Sequence, residues 1–278
     1  MKVEIAMKRV VYEIPGMQDP TVRRGVEYNA ALSLDLYYPA GPDAPRPAVV
    51  IVLGYPDVGV SSPFGCQSRE MGMFVSWAEL FAASGIVGVL YETRHPANDV
   101  IAVLSFLRTN AGTLGIDATR IGVWASSGNA PVALSVLMEG RVRCGVLCYG
   151  FTLDLNGSTG VAQAAAQYHF ANSPAGRGVE DLPYDIPLFI ARAGREQFAG
   201  LNEALDTFVA AALRCNLPLT LVNHATGPHG FDFADDTEAS RKIIRQILMF
   251  LRENLEICTP DLFKPAGLAQ KNQSRTAE

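Results

Sequence analysis

Six short runs of this chain are apolar at nearly every position: Ala48–Leu53, Ile86–Tyr91, Ile121–Trp124, Cys144–Tyr149, Pro187–Ala191 and Leu219–Asn223. A strand that is apolar only at alternate positions can keep one face in water, whereas one that is apolar throughout needs cover on both. Helical periodicity fills the gaps between the runs. In Asn98–Asn110 the residues Val100, Val103, Leu104 and Leu107 share one face, and Gly200–Leu213 and Thr237–Asn254 repeat the pattern. Asp235 and Asp236 precede the last of these and suit its positive N-terminal end. Strands alternating with helices are βαβ units. They predict an α/β fold, a doubly wound, mostly parallel sheet of about eight strands with helices on both faces.

The opening of the chain departs from this pattern. Leu32, Leu34 and Leu36 alternate with Ser33, Asp35 and Tyr37, a period of two that predicts a strand with one wet face and antiparallel pairing. The stretch Gly41–Pro47 then breaks the chain. Thr152–Asp185 is a long connection with one helical candidate, Gly160–Phe170, among Gly, Pro and Ser. Connections of that length are usually functional or mobile, so 152–185 is expected to form a small cap inside a single domain, 1–258. The polar, aperiodic end of the chain predicts a flexible tail, 259–278.

Composition narrows the function. The net charge is -5 without a basic cluster, which argues against a nucleic-acid partner. No apolar run approaches the ~18 residues of a membrane span, and Met1–Gly16 lacks the apolar core of a signal peptide. Five cysteines without a CxxC pair favour a reducing cytoplasm over a disulfide framework or a metal site. The oligomeric state is not legible.

Chemistry concentrates in Ile121–Leu134, where an apolar strand runs into small residues and then into a helical pattern. Ligands bind parallel sheets at the carboxyl ends of the strands. A serine on a sharp strand-to-helix turn there exposes its hydroxyl and puts the next N–H at a helix N-terminus, where it can hold an oxyanion. The usual pattern is G-x-S-x-G; here it reads Ala125-Ser126-Ser127-Gly128-Asn129, with both outer glycines replaced. The register selects Ser127, because Ser126 would put bulky Trp124 at the first small position. On its own the motif equally describes a serine-rich helix cap.

A serine nucleophile needs a base, and the base an orienting carboxylate. Of four histidines, His95 precedes the turn and His169 lies in the cap segment. His229, flanked by Gly230 and Phe231 beyond the last apolar run, is the leading base, with His224 the alternative. Glu196 lies just past the run Pro187–Ala191 and is the leading acid, although an ion pair with Arg192 or Arg195 would also explain it. Asp185 lies at the wrong end of that run, and Asp232 and Asp235 remain possible. The order Ser127, Glu196, His229 is the Ser…Asp/Glu…His order of one hydrolase architecture. Gly54-Tyr55-Pro56 follows the first apolar run and offers the Tyr55 N–H as a partner to that of Gly128 in an oxyanion hole.

The motifs LGYP (Leu53–Pro56), RIGVWASSGN (Arg120–Asn129), ARAGRE (Ala191–Glu196) and HGFDF (His229–Phe233) resemble the α/β-hydrolase family, most nearly its dienelactone-hydrolase-like and small-esterase branch, over roughly 32–254. The resemblance implies a serine hydrolase acting on small carboxylic esters through an acyl-enzyme, with no metal or organic cofactor. Ser127 stands where dienelactone hydrolases carry cysteine, which favours a serine esterase. Ala125 and Asn129 depart from glycine, and Glu196 from the commoner Asp. A hydrolase-fold protein that binds a small ligand without turnover, and an amidase or peptidase, are the rival readings.

Overall fold

The computed structural model describes residues 6–41, 44–58 and 65–257. Cys258 and the tail expected at 259–278 lie outside the described residues. The apolar runs become the interior of an eight-stranded sheet. Its strands are β1 (Thr21–Asn29), β2 (Leu32–Tyr38), β3 (Arg46–Ile51), β4 (Val87–Tyr91), β5 (Ile116–Ser126), β6 (Gly145–Cys148), β7 (Leu188–Arg195) and β8 (Leu219–Pro228). They lie in the order β1-β2-β4-β3-β5-β6-β7-β8. The β1–β2 and β2–β4 pairs are antiparallel and all others parallel. β4 and β6 are buried at every position, as continuous apolar runs require.

The longer helices are α1 (Gly72–Ala83), α2 (Pro96–Thr109), α3 (Ala130–Met138), α4 (Gly160–Tyr168), α5 (Leu201–Arg214) and α6 (Glu238–Asn254); all but α4, which packs on α5, lie on the sheet. α2 starts at a proline, whose missing N–H costs nothing in a first turn, and Asp99 accepts the amides of Arg94 and His95 just before it. Thr237 caps α6 by accepting the Ser240 amide. α1 lies close on the sheet because Gly88 has no side chain: a Cβ there would come within 2.7 Å of the Ala78 carbonyl oxygen. The core is continuous across the sheet, with Trp77 of α1 against Trp124 of β5 at 5.0 Å between ring centroids.

Two expectations need correction. β2 pairs antiparallel as its alternation predicts, but it has no wet face: Asp35 and Tyr37 are buried. They share a face with Leu90 and Gly88, and α1 packs on that side. Asp35 is accommodated by the Gly25 amide at 2.8 Å and by Arg24 and Arg69. The run Leu219–Asn223 is not buried on both faces. It lies in the outermost strand, where the covering layer stops short, and Leu221 is 43% exposed. That strand also continues to Pro228, so His224 lies within it rather than past its end.

The connectivity positions the site. From β3 the chain crosses to β4 on one side, and the next crossover returns past β3 to β5 on the other. The loops that leave β3 and β5 therefore diverge from adjacent strands, and the crevice between them is where such sheets bind ligands.

Candidate active site

β5 delivers Ser126 in an extended conformation, and the next residue, Ser127, has φ +54°. A single 3₁₀ turn, Ser127–Asn129, then leads into α3. A non-glycine residue in the left-handed region costs on the order of 1–3 kcal/mol and persists only where its surroundings enforce it. Neighbouring strands supply the room that the missing elbow glycines usually provide. A Cβ on Gly54, beyond β3, would collide with the Gly128 carbonyl oxygen, and one on Gly150, beyond β6, with the Ala130 side chain. Ser126 is buried, while Ser127 is partly open to solvent.

His229 follows β8 directly, before Gly230 turns the chain at φ +71°. Its Nε2 lies 2.9 Å from Ser127 Oγ and its Nδ1 2.7 Å from Glu196 Oε2. Glu196 follows β7, and its other oxygen accepts the amides of Gln197 at 2.7 Å and Phe198 at 2.9 Å. Burial works to raise the Glu196 pKa, but the bond from His229 and the two amides outweigh it and hold the carboxyl below its ordinary value. Arg192 does not pair with Glu196; it goes to Asp206 at 2.7 Å.

The imidazole of His229 is clamped edge-on by two rings, Tyr149 at 4.8 Å and Phe198 at 4.6 Å between centroids. Tyr149 also has a positive φ, +38°. Its hydroxyl donates to Asp232 Oδ1 at 2.6 Å, and Trp77 Nε1 donates to Asp232 Oδ2 at 2.7 Å. Both oxygens of Asp232 are thus taken by residues other than His229. Burial raises the Asp232 pKa, against the pull of these donors. Asp235 lies at His224 instead, 3.1 Å from its Nε2. His95 precedes α2, and His169 ends α4 at φ +63°.

The stretch Val52–Val58, just after β3, keeps one amide unpaired among the described residues. The amides of Val52, Leu53, Gly54 and Asp57 go to the Trp124 carbonyl, the Tyr91 hydroxyl, Asn129 Oδ1 and the Thr93 carbonyl. Pro56 has none. Within Val52–Val58 this leaves the Tyr55 N–H without a partner among the described residues. The carboxylate of Asp57 anchors the loop by accepting the Thr93 amide at 2.9 Å and the Ser68 amide at 3.0 Å. The Tyr55 ring lies over Gly128, where a Cβ would collide with the phenol oxygen.

The segment 152–185 contacts both sides of this crevice. The Ala171 amide donates to the Gly54 carbonyl at 2.8 Å. Phe170 packs on Tyr55 and Phe151, and Tyr168 on Phe198. Asp154 starts α4 by accepting the amides of Val161 and Ala162. Among the described residues, no group of three or more His, Cys, Asp or Glu could hold a metal ion, and no helix is long and apolar enough to cross a membrane.

Sequence reasoning missed Asn129, Tyr149, Asp57 and the Trp77–Asp232 pair as parts of this site. Asn129 carried a signal, as the residue that breaks the elbow pattern. Asp232 is among the candidate acids in the sequence, but its pairing with Trp77 carried no signal, since the two are 155 positions apart.

No protein-family model matches the sequence, and no curated protein matches it. Solved structures do match. The α/β hydrolase LAE6, from the metagenome of Lake Arreo, superposes with a TM-score of 0.68 at 18% identity over 92% of this chain and 87% of its own, in a serine-to-alanine variant. The carboxylesterase EstE1, from a metagenomic library, gives 0.67 at 18% identity over 88% and 92%. The propionate-bound esterase Est2 of Thermogutta terrifontis gives 0.62 at 19% identity over 86% and 96%. The fold of this chain is the α/β-hydrolase fold.

Proposed function

We propose that the protein is a serine hydrolase that cleaves small carboxylic esters by two-step acyl transfer. The observation that carries the reading is the line from Ser127 Oγ through His229 to Glu196, with contacts of 2.9 and 2.7 Å, on a serine held at positive φ. The solved structures similar in fold include esterases, one with propionate bound.

In the first step His229 Nε2 takes the proton of Ser127 as Oγ bonds to the ester carbonyl carbon, and the carbonyl π electrons move onto oxygen. The amides of Tyr55 and Gly128 hold that oxyanion; one such donor is worth roughly 10²–10³ in kcat. Glu196 keeps the proton on Nδ1 and stabilises the imidazolium. Collapse breaks the bond to the leaving oxygen, which takes its proton from His229. Water then repeats the sequence on the acyl-enzyme and frees Ser127.

Segment 152–185 serves as a small cap within a single domain. Aromatic residues crowd the approach from it and from the adjoining loops, so short acyl groups fit best. Each methylene left unburied forgoes ~0.8 kcal/mol, and specificity should fall beyond about four to six carbons. The dienelactone-hydrolase-like, small-esterase branch fits the sequence motifs, and the buried free thiols of Cys144 and Cys148 suit a reducing cytoplasm.

The test joins a fluorophosphonate probe to p-nitrophenyl esters from acetate to palmitate. The expected result is a label on Ser127 and turnover that peaks at short chains. An unlabelled Ser127 overturns the reading in favour of a ligand-binding protein. Steady improvement to palmitate overturns the small-cap part alone.

A further inference from the structure

We propose that Asn129 is the positioning residue of the oxyanion hole: its side-chain oxygen fixes the loop carrying the Tyr55 amide against the turn carrying the Gly128 amide. The inference rests on the hydrolase reading above.

Asn129 is 5% exposed, and its Oδ1 accepts the Gly54 amide at 2.6 Å. Gly54 adjoins Tyr55, and Asn129 adjoins Gly128. One hydrogen bond therefore joins the immediate neighbours of the two proposed donors. It spans 75 positions of sequence and ties the loop after β3 to the turn after β5.

Sterics alone do not set this alignment. Gly54 lies so close to the turn that a Cβ on it would come within 2.8 Å of Asn129 Cα. That contact limits how near the two backbones approach but not how their peptides are turned. Two hydrogen bonds set that: the Ala171 amide holds the carbonyl of the Gly54–Tyr55 peptide, and Asn129 holds the amide of the peptide before it, so the peptide that carries the Tyr55 N–H is fixed on both sides. With the Gly54 N–H taken by Asn129, the adjacent Tyr55 N–H is the one left to face a substrate oxygen.

Nor does Asn129 serve as an ordinary helix cap. It holds the N-cap position of α3, where asparagine commonly accepts an amide of the helix's own first turn. Here its side chain makes no such bond and reaches across to the next strand's loop instead. One of the two residues that break the elbow pattern thus makes a bond that a glycine there could not make.

An amide oxygen suits the position better than a carboxylate. Both would accept the Gly54 N–H, but a negative charge beside the hole would oppose the charge developing on the substrate oxygen.

The experiment measures kcat, KM, melting temperature and pH profile on p-nitrophenyl butyrate for wild type, Asn129→Ala, Asn129→Gly and Asn129→Asp. It adds inhibition by a trifluoromethyl ketone, which forms a tetrahedral oxyanion on the serine. For Asn129→Ala we expect kcat to fall about 10–100-fold, a fraction of the value of a full donor. KM and the ionisation seen in kcat/KM should stay in place, and ketone binding should weaken by the same factor as kcat. Asn129→Asp should melt within a few degrees of wild type and still lose kcat. A folded Asn129→Ala with kcat and ketone affinity within about twofold of wild type overturns the role. If Asn129→Ala does not fold, Asn129→Gly, the residue of the usual elbow pattern, decides, because it removes the acceptor of the Gly54 N–H; wild-type kcat and ketone affinity in that variant overturn the role. A wild-type protein that neither turns over esters nor labels at Ser127 overturns the hydrolase reading and this role with it. An active wild type with indifferent Asn129 variants overturns only the role of Asn129.

Discussion

Two histidines five positions apart each meet a serine hydroxyl and a carboxylate, and only one arrangement can pass a proton along. His229 uses opposite sides of its ring, with Nδ1 toward Glu196 and Nε2 toward Ser127. His224 presents one nitrogen to both partners: Nε2 lies 3.1 Å from Asp235 Oδ2 and 3.0 Å from Ser240 Oγ. Ser240 already donates to that same carboxylate oxygen at 2.7 Å, and so does Thr237 at 2.8 Å. The His224 cluster is a closed knot that ties β8 to the start of α6. Its serine donates directly to the acid, so the ring does not stand between the two, and its imidazole is buried. The parts of a triad do not suffice; the acid and the nucleophile must lie across the ring from each other.

The largest effect should separate the two sets. Ser127→Ala or His229→Ala should lower kcat by roughly 10⁴–10⁶-fold. His224→Ala and Ser240→Ala should stay within a few-fold of wild-type kcat and lose melting temperature instead, since they loosen the knot. A dead but folded His224→Ala would reverse the comparison. Next comes the acid. Glu196→Gln keeps the shape and removes the charge that stabilises the imidazolium, a loss of up to ~10⁴-fold in kcat. Asp235→Asn should leave kcat near wild type, and Asp232→Asn should act mainly on stability. If Glu196→Gln is active and Asp232→Asn is the dead variant, the acid has been misassigned.

The same pair gives a smaller effect with acid. The Glu196 carboxyl is held below its ordinary value of 4.5 in the folded protein. Its stabilising contribution is therefore fully present above that value and is lost as pH falls through the lower folded pKa. Melting temperatures of wild type and Glu196→Gln, followed from pH 7 to 3, should differ most at neutral pH and converge only as the pH falls through the lowered folded pKa. A gap that widens with acid would mean that the carboxyl is not ionised in the fold.

Much of this was legible in the sequence because it depends on local pattern. The continuous runs at β4 and β6 and the alternation at Leu32–Leu36 mark strands wherever they occur, and the chain order Ser127, Glu196, His229 follows the strand ends that carry them. What was not legible depends on neighbours chosen by topology. The run Leu219–Asn223 reads like any buried strand, and only its place at the sheet's edge exposes Leu221. Asp35 and Tyr37 read as a wet face until α1 covers them. Asn129 registers as a defect in a motif until the loop after β3 arrives beside it. His224 and His229 differ by whether a strand ends at Asn223 or Pro228, which a stretch of Ala, Thr, Gly and Pro does not decide.

The smallest expected effect tests how the ring of His229 is held. His224 has one aromatic neighbour in this network, Phe231 at 5.2 Å, whereas His229 is clamped between Tyr149 and Phe198. Tyr149 both packs on the imidazole and hydrogen-bonds to Asp232, and Tyr149→Phe separates these roles. The ring stays, so the imidazole should keep its orientation and kcat should fall only a few-fold. The hydroxyl goes, and Asp232 Oδ1 loses its 2.6 Å donor in a fully buried site. Leaving a buried acceptor unsatisfied costs about 1–3 kcal/mol, more when it is charged. The melting temperature should therefore drop clearly while activity nearly persists. A Tyr149→Phe variant that melts like wild type but loses kcat by 100-fold or more would show that the hydroxyl, and Asp232 behind it, acts on the base itself, and the contrast between the two histidines would then extend to a second carboxylate.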